Sequence, residues 1–260
     1  MVAAEAAGFQ FSVCPDHFQP WVAEQGHAGY AWSILGAAAY ATERIGLMTY
    51  VTCPTIRYHP AVVAQKAATL QILSGNRFPL GLGAGENLNE HVAGKHWPAV
   101  GIRHEMLTES VQIIGRLLDG EESVNFRGRH FDVEQAKLWD LPDVRVPTGI
   151  AVSGRQSCEL DGKHGDLMVA VEPKAELGEM FDATGGEGKP RVGQIALSYD
   201  PDRETPVQRA HEQFRWFGLG WKVNADLPNP ESFEAATAFV RPEDVGEQLG
   251  CGPDVEEHCL

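Results

Sequence analysis

Positive charge is scarce in this sequence. Lysine and arginine total 21 against 36 aspartates and glutamates, a net charge of -15 over 260 residues. Nucleic acid and anionic membrane surfaces need a basic face, so neither is expected as a partner. A few local cations still suffice for a small-molecule substrate, anionic or neutral. Cysteine is sparse too. Cys14, Cys53, Cys158, Cys251 and Cys259 are scattered and odd in number, and no two stand at C-x-x-C spacing. That argues against a disulfide framework or a zinc site and fits a reducing cytoplasm. No metal is expected: His91 and His96 are five apart, not at the spacing of a zinc-binding H-E-x-x-H helix. No apolar run approaches the roughly 18 residues of a membrane span, and no basic stretch leads an apolar one as in a secretory leader. The first strand lacks a G-x-G-x-x-G turn, which removes the main support for an open doubly wound sheet.

What is present is alternation. An Ala-rich helix tail over 1–8 leads to a strand at 9–14, a helix over 30–44 and a strand over 46–52. Pro60 then opens a helix to Leu73, and a strand over 77–83 ends in Gly-Ala-Gly-Glu. A long amphipathic helix is expected over about 103–118. A small hairpin interrupts the series near 121–141. Strands follow at 148–152, 166–171 and 192–199, with helices at 156–162, 173–181, 206–217, 230–239 and 242–249. Strands separated repeatedly by helices make βαβ units and a parallel sheet. The six strands lie between a helix tail and a final helix. One more strand on each side gives the eight of a (β/α)8 TIM barrel. The expectation is one α/β domain over 1–260, with the first and last barrel strands outside the chain.

In a barrel, chemistry gathers where strands end. The first strand stops at Pro15 and is followed by Asp16, His17, Phe18 and Trp21. Alone, this also reads as a polar turn with Asp16 as a helix cap. The second strand ends at Val51-Thr52-Cys53-Pro54, and the third at Gly83-Ala84-Gly85-Glu86 with Asn89 three residues on. The two glycines suit either close ligand approach or an ordinary strand-to-helix turn. The fourth ends at Ser153-Gly154-Arg155-Gln156-Ser157, a small-residue turn into a helix that suits an anion. The fifth ends at Glu172-Pro173-Lys174.

Three blocks, in order, resemble the luciferase-like oxidoreductases, and most closely the branch of F420-dependent glucose-6-phosphate dehydrogenases. They are Asp16 to Trp21, Thr52 to Pro60, and Gly83 to Glu90; the hairpin segment Phe126 to Phe131 also fits. The resemblance implies a barrel that binds coenzyme F420 and moves hydride between a hydroxyl or hemiacetal substrate, such as a sugar phosphate, and the deazaflavin C5. It implies His17 as the base, Glu86 as the acid, and Trp21 as the residue that stabilises the intermediate. Asp16, Val51, Cys53, Asn89, Ser153, Gly154, Gln156 and Ser157 are the implied cofactor contacts, and Lys174 a substrate contact. It further implies a non-proline cis peptide at Tyr50–Val51. A neutral imidazole is a competent base for an alcohol proton near neutral pH. The match departs at the phosphate grip, where Val171 and Glu234 replace a threonine and a lysine. A homodimer in the cytoplasm is expected. An FMN-dependent luciferase-like monooxygenase and an inactive cofactor-binding fragment remain alternatives.

Overall fold

The computed structural model describes residues 1–172, 174–202, 204–248 and 250–251. In chain order the first elements are α1 (Val2–Ala6), β1 (Phe11–Cys14), α2 (Ala31–Ala41), β2 (Gly46–Thr49), α3 (Pro60–Leu73) and β3 (Leu80–Leu82). Then come α4 (Asn87–Glu90), α5 (Val100–Leu118), β4 (Val124–Arg127), β5 (Asp132–Ala136), β6 (Thr148–Val152) and α6 (Arg155–His164). The chain continues through β7 (Leu167–Ala170), α7 (Ala175–Phe181), β8 (Arg191–Gly193), β9 (Leu197–Ser198) and α8 (Glu204–Phe214). It closes with α9 (Trp221–Asn224), α10 (Pro230–Ala236), α11 (Pro242–Gln248) and β10 (Gly250–Cys251).

Within the span that the sequence reads as one domain, two compact units are distinguished. The first comprises Met1–Asp16, Gly29–Gly85 and Lys95–Gly193. The second comprises His17–Ala28, Glu86–Gly94 and Gln194–Leu260.

The first unit is a parallel sheet with helices between its strands. β1 pairs with β2 from Phe11 opposite Gly46 to Cys14 opposite Thr49. Thr52 bridges to Leu82 and so joins the β2 segment to β3. β3 pairs with β6, β6 with β7, and β7 with β8, all parallel. Each strand therefore lies beside its predecessor in the βα series, the order of a barrel wall. The helices follow from local signals. α3 starts at Pro60, which needs no N–H partner there; it stops at Ser74-Gly75, where Gly75 takes φ +63°. Val63, Ala64, Ala67, Leu70 and Gln71 form its buried stripe. α5 buries Leu107, Val111, Ile114 and Leu118 at helical spacing. The expected hairpin forms from β4 and β5. Glu109 on α5 anchors its turn by accepting the N–H groups of Arg129, His130 and Phe131.

Close packing behind the second strand end depends on missing side chains. The Tyr50–Val51 peptide is cis, at the position the resemblance implies. Beneath it, a Cβ on Gly81 would collide with the Thr49 carbonyl oxygen, and one on Gly83 would lie 2.5 Å from Val51 Cγ2. One carboxylate in this unit is deeply buried. Asp161 Oδ1 accepts the Ile150 N–H at 2.9 Å, while Oδ2 has no partner. Burial pushes its pKa up to about 8.

The second unit is mostly helical. α8 packs with α11 and with the 3-10 turn Arg215–Leu219 that follows it. The sequence pattern runs a helix through Phe217, but the α-helix ends at Phe214, shortly before the helix-weakening Gly218 and Gly220. The strand expected over 192–199 splits into β8 and β9. A strand also follows the final helix inside the chain: β10 pairs in parallel with β9. Two residues are too few to show a hydrophobic period, so this strand leaves no sequence pattern. The helix expected from Pro173 begins at Ala175; Pro173 itself and the run from Pro253 to Leu260 lie outside the described residues. Among the described residues no helix is long and apolar enough to cross a membrane, and no group of His, Cys, Asp and Glu suits a metal ion.

Candidate active site

Asp16 and His17 are joined by a peptide bond but belong to different clusters. In the first unit, the Asp16 carboxylate is fully buried and surrounded by donors. Oδ2 accepts from Trp32 Nε1 at 3.0 Å and from Thr52 Oγ1 at 2.9 Å. Oδ1 accepts from the Tyr58 hydroxyl at 3.1 Å and lies 3.6 Å from an Arg57 nitrogen. Arg57 also donates to the Asp16 main-chain carbonyl. Burial, and after it the charge of Asp16, push the Tyr58 pKa upward, so this phenol stays a donor. Three hydrogen bonds and one ion-pair contact thus reach a carboxylate that offers about four acceptor positions. Asp16, expected as a cofactor contact, is held by these partners within the first unit. Trp32, Arg57 and Tyr58 were not singled out as site residues, because a partner of a buried carboxylate carries no local sequence mark.

The second unit holds the titratable pair. His17 Nε2 lies 3.5 Å from Glu86 Oε2, with the side chains 15% and 16% exposed. The resemblance implies separate roles of base and acid for these two residues, and they are neighbours in the second unit. Asn89 connects them. Its Oδ1 accepts the N–H groups of Phe18 at 2.9 Å and Gln19 at 3.3 Å, while Nδ2 donates to Glu86 Oε2 at 2.9 Å. Asn89 thus fixes the turn that carries His17 and aims the carboxylate, and it keeps one further N–H. Its own position is set by α4, whose backbone places Asn89 one turn from Glu86.

Trp21 stands beside this pair. Its ring meets His17 edge-on, centroids 5.1 Å apart. On its other sides it stacks on Trp216 at 4.3 Å and 16°, and meets Phe233 edge-on at 5.2 Å. Leu88 and Val22 complete the buried cluster. The loop is pinned by polar bonds: Gln25 accepts the Trp21 N–H and donates to the Gln213 carbonyl, and Arg215 forms a two-pronged pair with Glu24. Trp216 and Phe233 escaped the sequence reading; the aromatic run Phe214 to Phe217 was the available signal.

The remaining expected contacts lie in the first unit. Cys53 is buried, its Sγ 3.0 Å from Thr55 Oγ1. At the start of α6, the Ser157 hydroxyl accepts the N–H groups of Ser153 at 2.9 Å and Gly154 at 3.2 Å. This builds a tight turn that leaves the first-turn amides facing outward from the helix start. Ser153, Arg155 and Gln156 are exposed, and a Cβ on Gly154 would meet nothing within 4 Å. The turn therefore has room and donors for a phosphate or similar anion. Lys174 precedes α7 and pairs with Glu172 at 3.0 Å.

A family model described as luciferase-like monooxygenase matches residues 1–258. An F420-dependent hydroxymycolic acid dehydrogenase of Mycobacterium tuberculosis is 42% identical over 98% of this chain and 72% of its own length. An F420-dependent glucose-6-phosphate dehydrogenase of Beutenbergia cavernae is 35% identical over 99% of this chain and 80% of its own. Among solved structures, an F420-dependent secondary alcohol dehydrogenase in complex with an F420-acetone adduct superposes with a TM-score of 0.89 at 29% identity, covering 98% of this chain and 81% of that one.

Proposed function

The chain belongs to the luciferase-like monooxygenase family, whose α/β fold is of the TIM-barrel type, and from that premise we propose that it is a coenzyme F420-dependent oxidoreductase acting on CH–OH groups. The similarity to F420-dependent dehydrogenases, at up to 42% identity, supports the cofactor and the reaction class. The observation that carries the reading within this chain is the partly open His17–Glu86 pair, held by Asn89 and backed by Trp21.

When bound, F420 supplies a hydride acceptor at C5 of its deazaflavin. Val51 and Cys53 would lie against its ring, and Gly154, Gln156, Ser153 and Ser157 would hold its anionic tail at the α6 turn. His17 would accept the proton of the substrate hydroxyl. Glu86 would be placed to supply a proton to the ring of a bound F420, and as the carboxylate left behind it would stabilise an imidazolium at His17. Trp21 steadies the imidazole by its edge-on contact and excludes water on that side. Asp16 acts one step back, fixing the backbone from which His17 emerges. Lys174 is the single phosphate contact this reading offers.

A homodimer in the cytoplasm completes the proposal. Exposed Phe9, Phe11, Val13 and Ile34 in the first unit offer apolar surface for a second copy. Titrating the purified protein with F420 and with FMN tests the cofactor by fluorescence quenching. Adding a secondary alcohol or glucose 6-phosphate then tests turnover through loss of the oxidised deazaflavin absorbance. Tight F420 binding with alcohol-dependent reduction is expected; binding of FMN alone would move the chain to the monooxygenase reading.

A further inference from the structure

We propose, resting on the F420-dependent reading above, that Tyr50 is a positioning residue of the cofactor site: its hydroxyl, bonded across the inner face of the sheet, holds Val51 and Cys53 in fixed relation to the end of β7.

The two faces of the sheet in the first unit are filled differently, because successive residues of a strand point to opposite sides. On β2, Leu47 packs into the core shared with α2 and α3, while Met48 belongs to a separate cluster. On β7, Met168 and Ala170 pack with Leu177 and Phe181 of α7, while Leu167 and Val169 join Met48. The face turned away from the helices therefore carries Met48, Leu167 and Val169, all buried. Beside them stand Tyr50, Val51, Ala151 and Val192, each only partly buried. In a barrel-type fold this face is the interior, and ligands bind at the C-terminal ends of its strands. β3 and β6 contribute little bulk here. A Cβ on Gly81 would collide with the Thr49 carbonyl oxygen, one on Gly83 with Val51, and one on Gly149 with the Leu167 carbonyl oxygen. Tyr50 is the largest side chain of the cluster.

The Tyr50 hydroxyl donates to the Ala170 main-chain carbonyl at 2.7 Å. β2 and β7 are not neighbours, since β3 and β6 lie between them. Main-chain ladders join adjacent strands only, so this side chain supplies a direct tie that the ladders do not. Burial pushes the phenol pKa up to about 12, which keeps the hydroxyl a donor near neutral pH. The tie reaches two segments that the F420 reading uses. Val51 follows Tyr50 directly and Cys53 comes shortly after it, while Glu172 and Lys174 follow Ala170. Ligand contacts work only when held in place to a fraction of an ångström.

Thr49 provides the contrast. It is buried, and its hydroxyl donates to the Gly81 carbonyl at 2.9 Å and accepts the Gly81 N–H at 3.1 Å. Those bonds run to β3, which the Thr52–Leu82 bridge already joins to the β2 segment. Losing them weakens the wall without releasing β2 from β7.

The test measures F420 affinity by fluorescence quenching, and melting temperature without cofactor, for the full chain and three variants. Tyr50→Phe keeps the ring and removes the tie. Its Kd for F420 should rise about fivefold, the factor expected for one hydrogen bond, while its melting temperature falls by no more than about 2–4 °C. The KM for F420 should rise with the Kd, and kcat at saturating F420 should stay within about threefold. Tyr50→Ala, which also removes the ring, should raise the Kd about tenfold or more. Thr49→Val should lower the melting temperature at least as much as Tyr50→Phe and leave the Kd within about twofold. F420 binding by the wild type with an unchanged Kd in Tyr50→Phe would overturn this proposal and leave the F420 reading intact. An equal loss of affinity in Thr49→Val would also overturn it, because affinity would then follow stability and not the tie. A wild-type protein that binds no F420 would overturn both.

Discussion

Two adjacent residues, Asp16 and His17, sit in clusters built on opposite principles. The Asp16 carboxylate accepts three hydrogen bonds, lies against the Arg57 guanidinium and has no exposed surface. The imidazole of His17 has one charged neighbour at 3.5 Å and remains partly open. A buried, hydrogen-bonded and ion-paired carboxylate loses much if disturbed. An underused, accessible pair costs the fold little and is free for proton transfer. On the proposed reading the first cluster is architectural and the second carries the chemistry, although the sequence presents them as one motif.

The comparison breaks most visibly at Asp16. Asp16→Ala leaves the Arg57 guanidinium and three other donors facing a void, and the protein should lose about 3 kcal/mol or more of stability. Urea unfolding measures it; a midpoint unchanged from wild type would return Asp16 to the role of a simple ligand contact. Asn89→Ala should act differently. It removes the hydrogen bonds that fix the His17 turn and Glu86, so kcat should fall by about tenfold, with a smaller stability loss of about 1–2 kcal/mol. Equal effects of the two substitutions would erase the distinction between the clusters.

A third test asks whether every buried carboxylate of the first unit is stabilising. Asp161 differs from Asp16 because one oxygen is orphaned and its pKa is raised to about 8. The unfolded chain ionises this group near its ordinary value of 3.8 while the folded chain keeps its proton. Its contribution to stability is therefore full below about pH 4 and is lost as pH rises to about 8. Asp161→Asn should flatten that decline and stabilise the protein at pH 8 by about 1–2 kcal/mol. Melting temperatures of both proteins across this window check it; a decline of equal slope in both would contradict the assignment. The smallest effect is expected at Lys174, which is exposed and engaged by Glu172. Lys174→Ala should change kcat/KM for an uncharged alcohol by less than about twofold, measured by the same F420 assay.

Much of the framework was legible in the sequence because strand ends are marked by local chemistry. Pro15, Cys53-Pro54, Gly83 and Gly154 punctuate the chain where backbone rules demand it. Those marks located His17, Glu86 and Asn89 within a few residues of their strands. The division of labour was not legible. How Asp16 is held depends on Trp32, Thr52, Arg57 and Tyr58 arriving from two later segments, and no spacing encodes that. Trp216 lies 195 positions after Trp21, the residue on which it stacks. The nearness of His17 to Glu86 is likewise a product of the fold, since the resemblance supplied roles but not the distance between them. The short strands β9 and β10 carry too few residues for any period to appear.

The central claim is that His17 performs proton transfer and contributes little to holding the cofactor. Single-turnover reduction of F420 by a saturating secondary alcohol, measured for wild type and His17→Ala alongside F420 affinity from fluorescence quenching, tests it directly. The account predicts a rate lower by about a hundredfold or more, with the affinity within about threefold. A variant that reduces F420 at the wild-type rate, or one whose only defect is lost F420 binding, would contradict it.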